Sequence, residues 1–488
     1  MIQNLWNKIK QNVALKDLVL NSLWSIVGTF ISKVLLFLIW IFVAKLLKAN
    51  GYGEFSIIRS TTMLFADFVG SSIGLAGTNY IAKYYQNDIK KVERLVGLFN
   101  VFSFVFGFFF FILSWTFSES ISINMLHKSE LAIYLQASSV VILIASINNN
   151  QYGILRGFNQ YKTISKINLL QIIFSFPVYY IGTYFFSLEG AVFAYIFYNL
   201  IVCVFARIEL RKLFDRLKIK PSYKDCVVEG KTVLVFILPY IISGFIIAFL
   251  SWYNETKLVA IPEGYSQMGY YSIINVMALI IIGVSFMVCI PFVSMMSKYQ
   301  NSDSFILLEK LNIFLPLQVA LLIEVPLMLF PEIVAWLYGS SYTIENIRQI
   351  SNYMFFFVFW AVYRQAVARF VAVKERTWLY LADSVTFALL AVILFAYFYK
   401  HGVVGFVWGQ TIAYITVVVL VLPLYLKFHI LPVYVMKDSY LKVLFGIPIL
   451  IFLFSFLEIS ILTRVVLCLI ILGGNLYWFW RRYLISIK

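Results

Sequence analysis

The stretch LVLNSLWSIVGTFISKVLLFLIWIFVAKLLKANGYGEFSIIRS, residues 18–60, decides how the rest of the chain is read. From Leu18 to Leu47 it is apolar apart from Lys33, Lys45 and a few small polar residues. A helix crosses the hydrocarbon of a bilayer in about 20 such residues, so this run spans with residues to spare. It is too long for the core of a signal peptide, and no small-residue cleavage pattern follows it, so it is expected to remain as a membrane helix behind a short polar leader carrying Lys8, Lys10 and Lys16. A polar break at Lys48 to Gly51 then gives way to a second apolar run.

The same alternation continues to the C-terminus. The 488 residues are 62% hydrophobic and 13% charged, with a mean hydropathy of +0.87. A soluble domain is roughly half apolar and a quarter charged, so that class is excluded and little length remains for a soluble domain. Apolar runs between charged breaks predict fourteen spans: 18–47, 52–80, 95–116, 131–155, 164–186, 190–208, 232–253, 269–296, 311–335, 350–373, 378–399, 403–426, 440–458 and 463–480. The expected fold is an all-α integral membrane protein.

The formal charge of +16 raises the question of nucleic acid, and the placement of the charges answers it. With the N-terminus inside, 29 of the 39 lysines and arginines fall on the cytoplasmic side, seven on the outer side, and Lys33, Arg59 and Arg364 within spans. Cytoplasmic loops carry such an excess in membrane proteins. Both termini are therefore expected in the cytoplasm, and no nucleic-acid partner is needed. Cys203, Cys226, Cys289 and Cys468 lie far apart and suggest neither a disulfide framework nor a metal site.

The longest and most basic inner loop, Arg207 to Lys231, divides the spans into six before it and the rest after it. Gly53-Glu54-Phe55-Ser56-Ile57-Ile58-Arg59 opens the second span and Gly269-Tyr270-Tyr271-Ser272-Ile273-Ile274-Asn275 opens the eighth. Arg156-Gly157-Phe158 and Arg369-Phe370 stand in matching positions at the inner ends of the fourth and tenth. An even number of spans per half makes the halves parallel repeats. The expected organisation is an N-terminal lobe over 1–208, a basic cytoplasmic linker over 209–231, a C-terminal lobe over 232–428 and an extra helix pair over 429–488, with the substrate path between the lobes.

The first span with Asn21, Trp24, Gly28, Lys33 and Phe37, followed by Ala44-Lys45-Leu46-Leu47 and Tyr52-Gly53-Glu54-Phe55, resembles the opening of polysaccharide flippases of the Wzx type. These belong to the multidrug/oligosaccharidyl-lipid/polysaccharide exporter superfamily. The motif covers about the first 90 residues, and the six-plus-six plan extends the likeness to the twelfth span. The resemblance implies two lobes that move an undecaprenyl-diphosphate-linked oligosaccharide from the cytoplasmic to the outer leaflet of the inner membrane by alternating access, in O-antigen or capsule biosynthesis. Membrane lipid and glycan polymerases are the further partners it implies. Many such flippases have twelve helices. Fourteen is similar to the lipid II flippase branch, where the last pair forms a groove for the lipid tail.

A charge within a span costs roughly 2.5–3.5 kcal/mol on insertion scales, so each should face a wet cavity or a partner. Lys33, Arg59 and Arg364 are the expected diphosphate-binding residues, because phosphate oxygens accept charge-assisted hydrogen bonds and arginine can bind them two at a time. Pairing is the competing expectation: Asp67 with Lys33, and Glu324 with Arg364. Arg59 stands about 12 Å along the helix from Asp67 and is the strongest single candidate. Asp67, Glu324 and Asp383 are expected to hold a coupling Na+ or H+, with Asp383 alternatively paired to Lys374 or Arg376. Asn148, Asn149 and Gln151, in the run Asn148-Asn149-Asn150-Gln151, are expected to contact sugar hydroxyls or to join helices.

No cofactor is expected. An integral-membrane glycosyltransferase or polymerase would need a catalytic loop, whereas the outer loops hold little beyond Glu119, His127, Glu255, Glu263 and Glu345. Without paired carboxylates, a nucleotide-binding loop or metal-ligand spacing, the chain is expected to be no enzyme. Its energy must then come from an ion gradient, the membrane potential or consumption of product outside. An ion-coupled multidrug exporter is the other transporter reading, and it would favour carboxylates and aromatics around its cavity over cations.

Overall fold

The computed structural model describes residues 13–224, 226–298, 304–374, 377–455, 457 and 459–481. The chain is all-helical over these residues, as its apolar patterning demands, and forms two compact units, Met1–Ala260 and Ile261–Lys488. Eight helical stretches among the described residues are long and apolar enough to cross a membrane, and some of them contain more than one expected span.

The first unit holds α1 (Val13–Tyr84), α2 (Ile89–Asn124), α3 (Ala132–Gly157), α4 (Tyr161–Leu217) and α5 (Gly230–Val259). Two of these are pairs of spans run together. α1 breaks at Lys48, whose φ is 59°, and α4 at Ser187, whose φ is 47°. Both breaks fall where the sequence placed polar gaps. The arm after Lys48 starts on a polar clamp: Glu54 accepts from Asn50 Nδ2 at 2.8 Å and from Lys128 Nζ at 2.6 Å, which ties it to the loop that follows α2.

The second arm of α1 crosses α3 at very close range through Gly74, Gly77, Gly153 and Gly157. A Cβ on Gly74 would lie 2.7 Å from the backbone oxygen of Asn149. Thr78 Oγ1 donates across the crossing to Gly153 O at 3.3 Å. Between helices in lipid there is no hydrophobic drive, so small residues that let backbones touch supply much of the association. The outward face of α2 presents Phe104, Val105, Phe108 and Phe109, as suits contact with lipid tails.

The basic loop between α4 and α5 is fastened to the start of α2. Lys220 N donates to Glu93 Oε1 at 2.7 Å, Ser222 N to Glu93 O at 2.9 Å, and Glu229 pairs with Arg94 at 3.2 Å and Lys91 at 3.5 Å. Gly97 meets the Ser222 carbonyl so closely that no Cβ would fit between them.

The second unit holds α6 (Gly264–Lys298), α7 (Ser304–Leu329), α8 (Pro331–Tyr338), α9 (Ile344–Val373), α10 (Thr377–Phe398), α11 (Gly402–Lys427), α12 (Val433–Met436), α13 (Ser439–Phe454) and α14 (Ile461–Phe479). The expected span 311–335 is not continuous. Pro331 lacks an N–H and pushes the residue before it out of the helical region; Phe330 sits at φ −127° and ψ 66°, and α8 begins afresh. The last pair is pinned to α7 by polar contacts: Tyr440 Oη bonds Gln318 Oε1 at 2.7 Å and Asn475 Oδ1 at 2.8 Å, and Lys310 pairs with Asp438 at 2.8 Å. Most of α14 exposes apolar side chains.

The two echoed motifs are buried alike. Ile57, Ile58, Ile273 and Ile274 are all fully buried, while Arg59 in the first copy is Asn275 in the second.

Candidate functional site

In the first unit the site forms around Arg59, in the second arm of α1. Its guanidinium lies 4.3 Å from the ring centroid of Trp40, on the first arm. Trp40 in turn packs edge-on against Tyr179 at 5.5 Å and near Phe55 at 5.9 Å, and Tyr179 neighbours Tyr198 at 6.3 Å. Tyr52, Tyr179 and Tyr198 all lie within the electrostatic reach of Arg59. A desolvated cation over an indole face gains about 2 kcal/mol. The ring takes up charge without accepting an N–H bond in the ordinary sense, and among the described residues Arg59 has no carboxylate within 4.0 Å. A guanidinium has five N–H donors, so this one offers them to a visiting acceptor. The buried hydroxyls of Tyr52, Ser56, Tyr179 and Thr183 likewise have no hydrogen-bond partner among the described residues. The arrangement is a cation among aromatic rings, with unbonded buried hydroxyls along the same two helices, a chemistry suited to an oxyanion.

Lys33 is exposed, two helical turns from Trp40 on the same face of α1, and has no carboxylate within 4.0 Å among the described residues. Asp67, its expected partner, lies outside the described side chains. Of the asparagine run, Asn148 Nδ2 donates to Asn199 O at 2.9 Å and Asn150 Nδ2 to Asn100 Oδ1 at 2.9 Å, so these two join helices. Asn149 is half-buried, with its backbone against Gly74, and Gln151 is buried with Oε1 unbonded among the described residues. Successive residues on a helix turn by about 100°, and the run is accordingly spread around α3.

In the second unit, the carboxylate that neutralises Arg364 is Asp383, which corrects the expected pairing with Glu324. It also replaces the expected pairing of Asp383 with Lys374 or Arg376. Lys374 donates instead to His429 O, and Arg376 lies outside the described residues. The Arg364 guanidinium is roofed by Tyr414 at 4.6 Å and Phe387 at 5.0 Å. The adjoining cavity, lined by Tyr363, Val367, Leu422 and Tyr425, is ≈ 20 Å³, room for a water and not for a diphosphate.

Glu324, on α7 between Pro316 and Pro326, is 1% exposed, and neither carboxylate oxygen has a hydrogen-bond partner among the described residues. An isolated ionised carboxylate is too costly to keep in so dry a place. A proton on it or a cation beside it are the physical options.

Two residues escaped the sequence reading. Arg369, placed by sequence at the inner end of the tenth span and counted with the cytoplasmic charges, is buried on α9 and held by neutral groups, with Nε on Asn312 Oδ1 at 2.7 Å and Nη2 on Asn312 O at 3.0 Å. Glu255, read as an outer-loop residue, lies within α5, which extends to Val259. Its Oε2 is buried and has no hydrogen-bond partner among the described residues.

These features define an all-helical, multi-pass membrane protein with the fold of the MOP transporter superfamily. The structure of the lipid II flippase MurJ in an inward closed conformation matches with a TM-score of 0.71 and 16% identity over 94% of this chain and 99% of that one. An inward-facing multidrug resistance MATE family transporter matches at 0.65 and 17% over 83% and 96%, and a MOP superfamily transporter from Pyrococcus furiosus at 0.58 and 19% over 87% and 97%. No protein of curated function matches by sequence. The sequence profile described as polysaccharide biosynthesis protein matches residues 18–297, and the chain belongs to that family. This accords with the resemblance to Wzx-type flippases.

Proposed function

We propose that the chain translocates an undecaprenyl-diphosphate-linked oligosaccharide from the cytoplasmic to the outer leaflet by alternating access, as a non-catalytic protein of the cytoplasmic membrane with both termini inside. The observation that carries this reading is Arg59, a cation set in an aromatic frame with its donors unclaimed by any carboxylate among the described residues. Lys33, two turns from Trp40 on the first arm of α1, is the second phosphate contact. Arg364 is a further phosphate contact only if the substrate displaces Asp383 from it. Asn149 and Gln151 are the sugar contacts, and Glu324 is the coupling site for H+ or Na+. The lobes run over 1–208 and 232–428 with the linker 209–231, and 429–488 adds the final helix pair. A glycan polymerase receives the product.

Hydrogen bonds to charged groups are worth roughly 1.5–3 kcal/mol, so Arg59→Ala is expected to lower surface glycan by about tenfold or more while the protein stays in the membrane at the wild-type amount. Normal glycan display in that variant would refute the assignment. An ion-coupled multidrug exporter or a lipid II flippase of the same superfamily is the alternative, and the unpartnered Glu324 favours the exporter. Rescue of a drug-sensitive strain by the chain, lost in Glu324→Gln and kept in Arg59→Ala, would select it.

A further inference from the structure

The two arms of α4 meet without side chains between them. A Cβ on Gly190 would overlap the Gly182 carbonyl, and one on Gly182 would lie 3.1 Å from Gly190 O. Glycine at both positions lets the backbones touch and leaves a groove open over the contact. Residues four apart lie on one side of a helix, so Pro177 and Ile181 line it along the first arm, while Phe186 and Phe193 wall it on either side of the break at Ser187. The groove has a volume of ≈ 490 Å³, within the roughly 300–1,000 Å³ of ordinary ligand sites, and Glu189 is the one charged group in its lining. Ile181, Phe186 and Phe193 are exposed, as on any face turned to lipid; this face differs in being concave and in ending on a carboxylate. Glu189 stands in the first turn of the second arm, where a helix favours negative charge. It accepts from Tyr134 Oη at 3.4 Å, and among the described residues no cation lies within 4.0 Å of it. From Phe186 down to Pro177 is nine residues, about 14 Å of helix. One leaflet takes half of the about 30 Å of hydrocarbon, so the groove is as long as a leaflet is deep. With the N-terminus inside, as proposed, its Glu189 end is the outer one.

We infer that this groove seats an outer-leaflet phospholipid whose head carries a primary ammonium, with Glu189 on the ammonium and one acyl chain lying from Phe186 and Phe193 down to Pro177. A carboxylate at the mouth attracts a cationic amine and repels an anionic head, so the head group selects the occupant and the chain only fills the groove. A polyprenyl diphosphate carries the wrong charge for this mouth, which sets the groove apart from the proposed substrate path. Tyr179, which packs on Trp40, lies on the buried face of the same arm, so a lipid seated here braces that arm from the membrane side.

The test titrates the purified full-length chain in detergent with dioleoyl phosphatidylethanolamine, or with dioleoyl phosphatidylglycerol, which has the same chains and an anionic head; bound lipid is counted by native mass spectrometry. Exposed ion pairs are weak, so attraction of one head and repulsion of the other together should make the amine lipid bind about fivefold more tightly. Glu189→Gln is expected to abolish this preference and Glu189→Lys to reverse it. Phe193→Ala removes a wall of the groove and should weaken both lipids alike; it serves should the Glu189 variants fail to accumulate, and undiminished binding of the amine lipid in it overturns the inference. Equal binding of the two lipids by the wild type, or a preference that survives Glu189→Gln, does the same. Displacement of the amine lipid by undecaprenyl phosphate, equally in the wild type and in Glu189→Gln, would assign the groove to a polyprenyl tail, and a dimer that Phe193→Ala dissolves would assign it to a second copy; either result also rejects the aminophospholipid.

Discussion

Replacing Asp383 by asparagine isolates the worth of the ion pair with Arg364. The Asp383 side chain is 7% exposed and that of Arg364 15%, and aromatic rings cover the guanidinium. Removing one partner of a buried pair costs about 3–5 kcal/mol, because the other charge is left uncompensated. At about 2–4 °C per kcal/mol for a unit of this size, the thermal midpoint of the purified protein should fall by roughly 6–20 °C. Replacing both partners, as Arg364→Met with Asp383→Leu, removes the stranded charge together with its desolvation cost, and such exchanges are often neutral or stabilising. The double variant should therefore recover most of the lost midpoint. The assay is unfolding in detergent followed by tryptophan emission, with surface glycan read in parallel. A double variant as unstable as Asp383→Asn would refute the reasoning, and one that is stable yet exports no glycan would give Arg364 a part in substrate passage.

Other expectations concern separate parts of the fold. Gly74→Ala places a Cβ 2.7 Å from Asn149 O, a backbone atom that cannot swing aside; overpacking of this kind costs about 1–3 kcal/mol, measurable as lower membrane abundance and a lower thermal midpoint. Burial pulls the pKa of Lys128 down, but its hydrogen bond and charge interaction with Glu54, aided by Glu130, outweigh this and leave it above the ordinary lysine value. The stability it contributes is thus full below the unfolded pKa of about 10.4 and is lost as pH rises through the folded value, so thermal midpoints taken from pH 8 to 11 should decline less in Lys128→Met than in the wild type. Glu324→Gln exchanges an unpartnered buried acid for a neutral amide, and should leave stability equal or higher while abolishing the dependence of transport on the H+ or Na+ gradient in proteoliposomes.

Much of the helical plan was legible because a bilayer admits few structures. Residues 18–47 and 52–80 could only be apolar helices, and the gaps at Lys48 and Ser187 are where the backbone breaks. What apolar length does not encode is where a helix stops beyond the hydrocarbon. Glu255 looked like a loop residue because it is charged, yet α5 carries it on to Val259. Partner choice was less legible still. Glu324 was matched to Arg364 by charge alone, while Asp383 lies across the short α9–α10 turn, within about one helical turn of Arg364 in depth. Comparing depths across that hairpin would have found the pair from sequence. The isolation of Glu324 and the aromatic frame of Arg59 depend on which helices pack side by side, and a single sequence carries no such information.

The loop from Lys218 to Glu229 is long and polar, the kind of segment an engineer would choose for an epitope tag or a fluorescent protein. Its backbone is instead spliced into the packing of its own unit. One glutamate, Glu93, receives the N–H groups of both Lys220 and Ser222, and Gly97 leaves just enough room for the Ser222 carbonyl. An insertion at this point would prise open the root of α2, so reporters are better fused elsewhere, and extended length is a poor guide to slack.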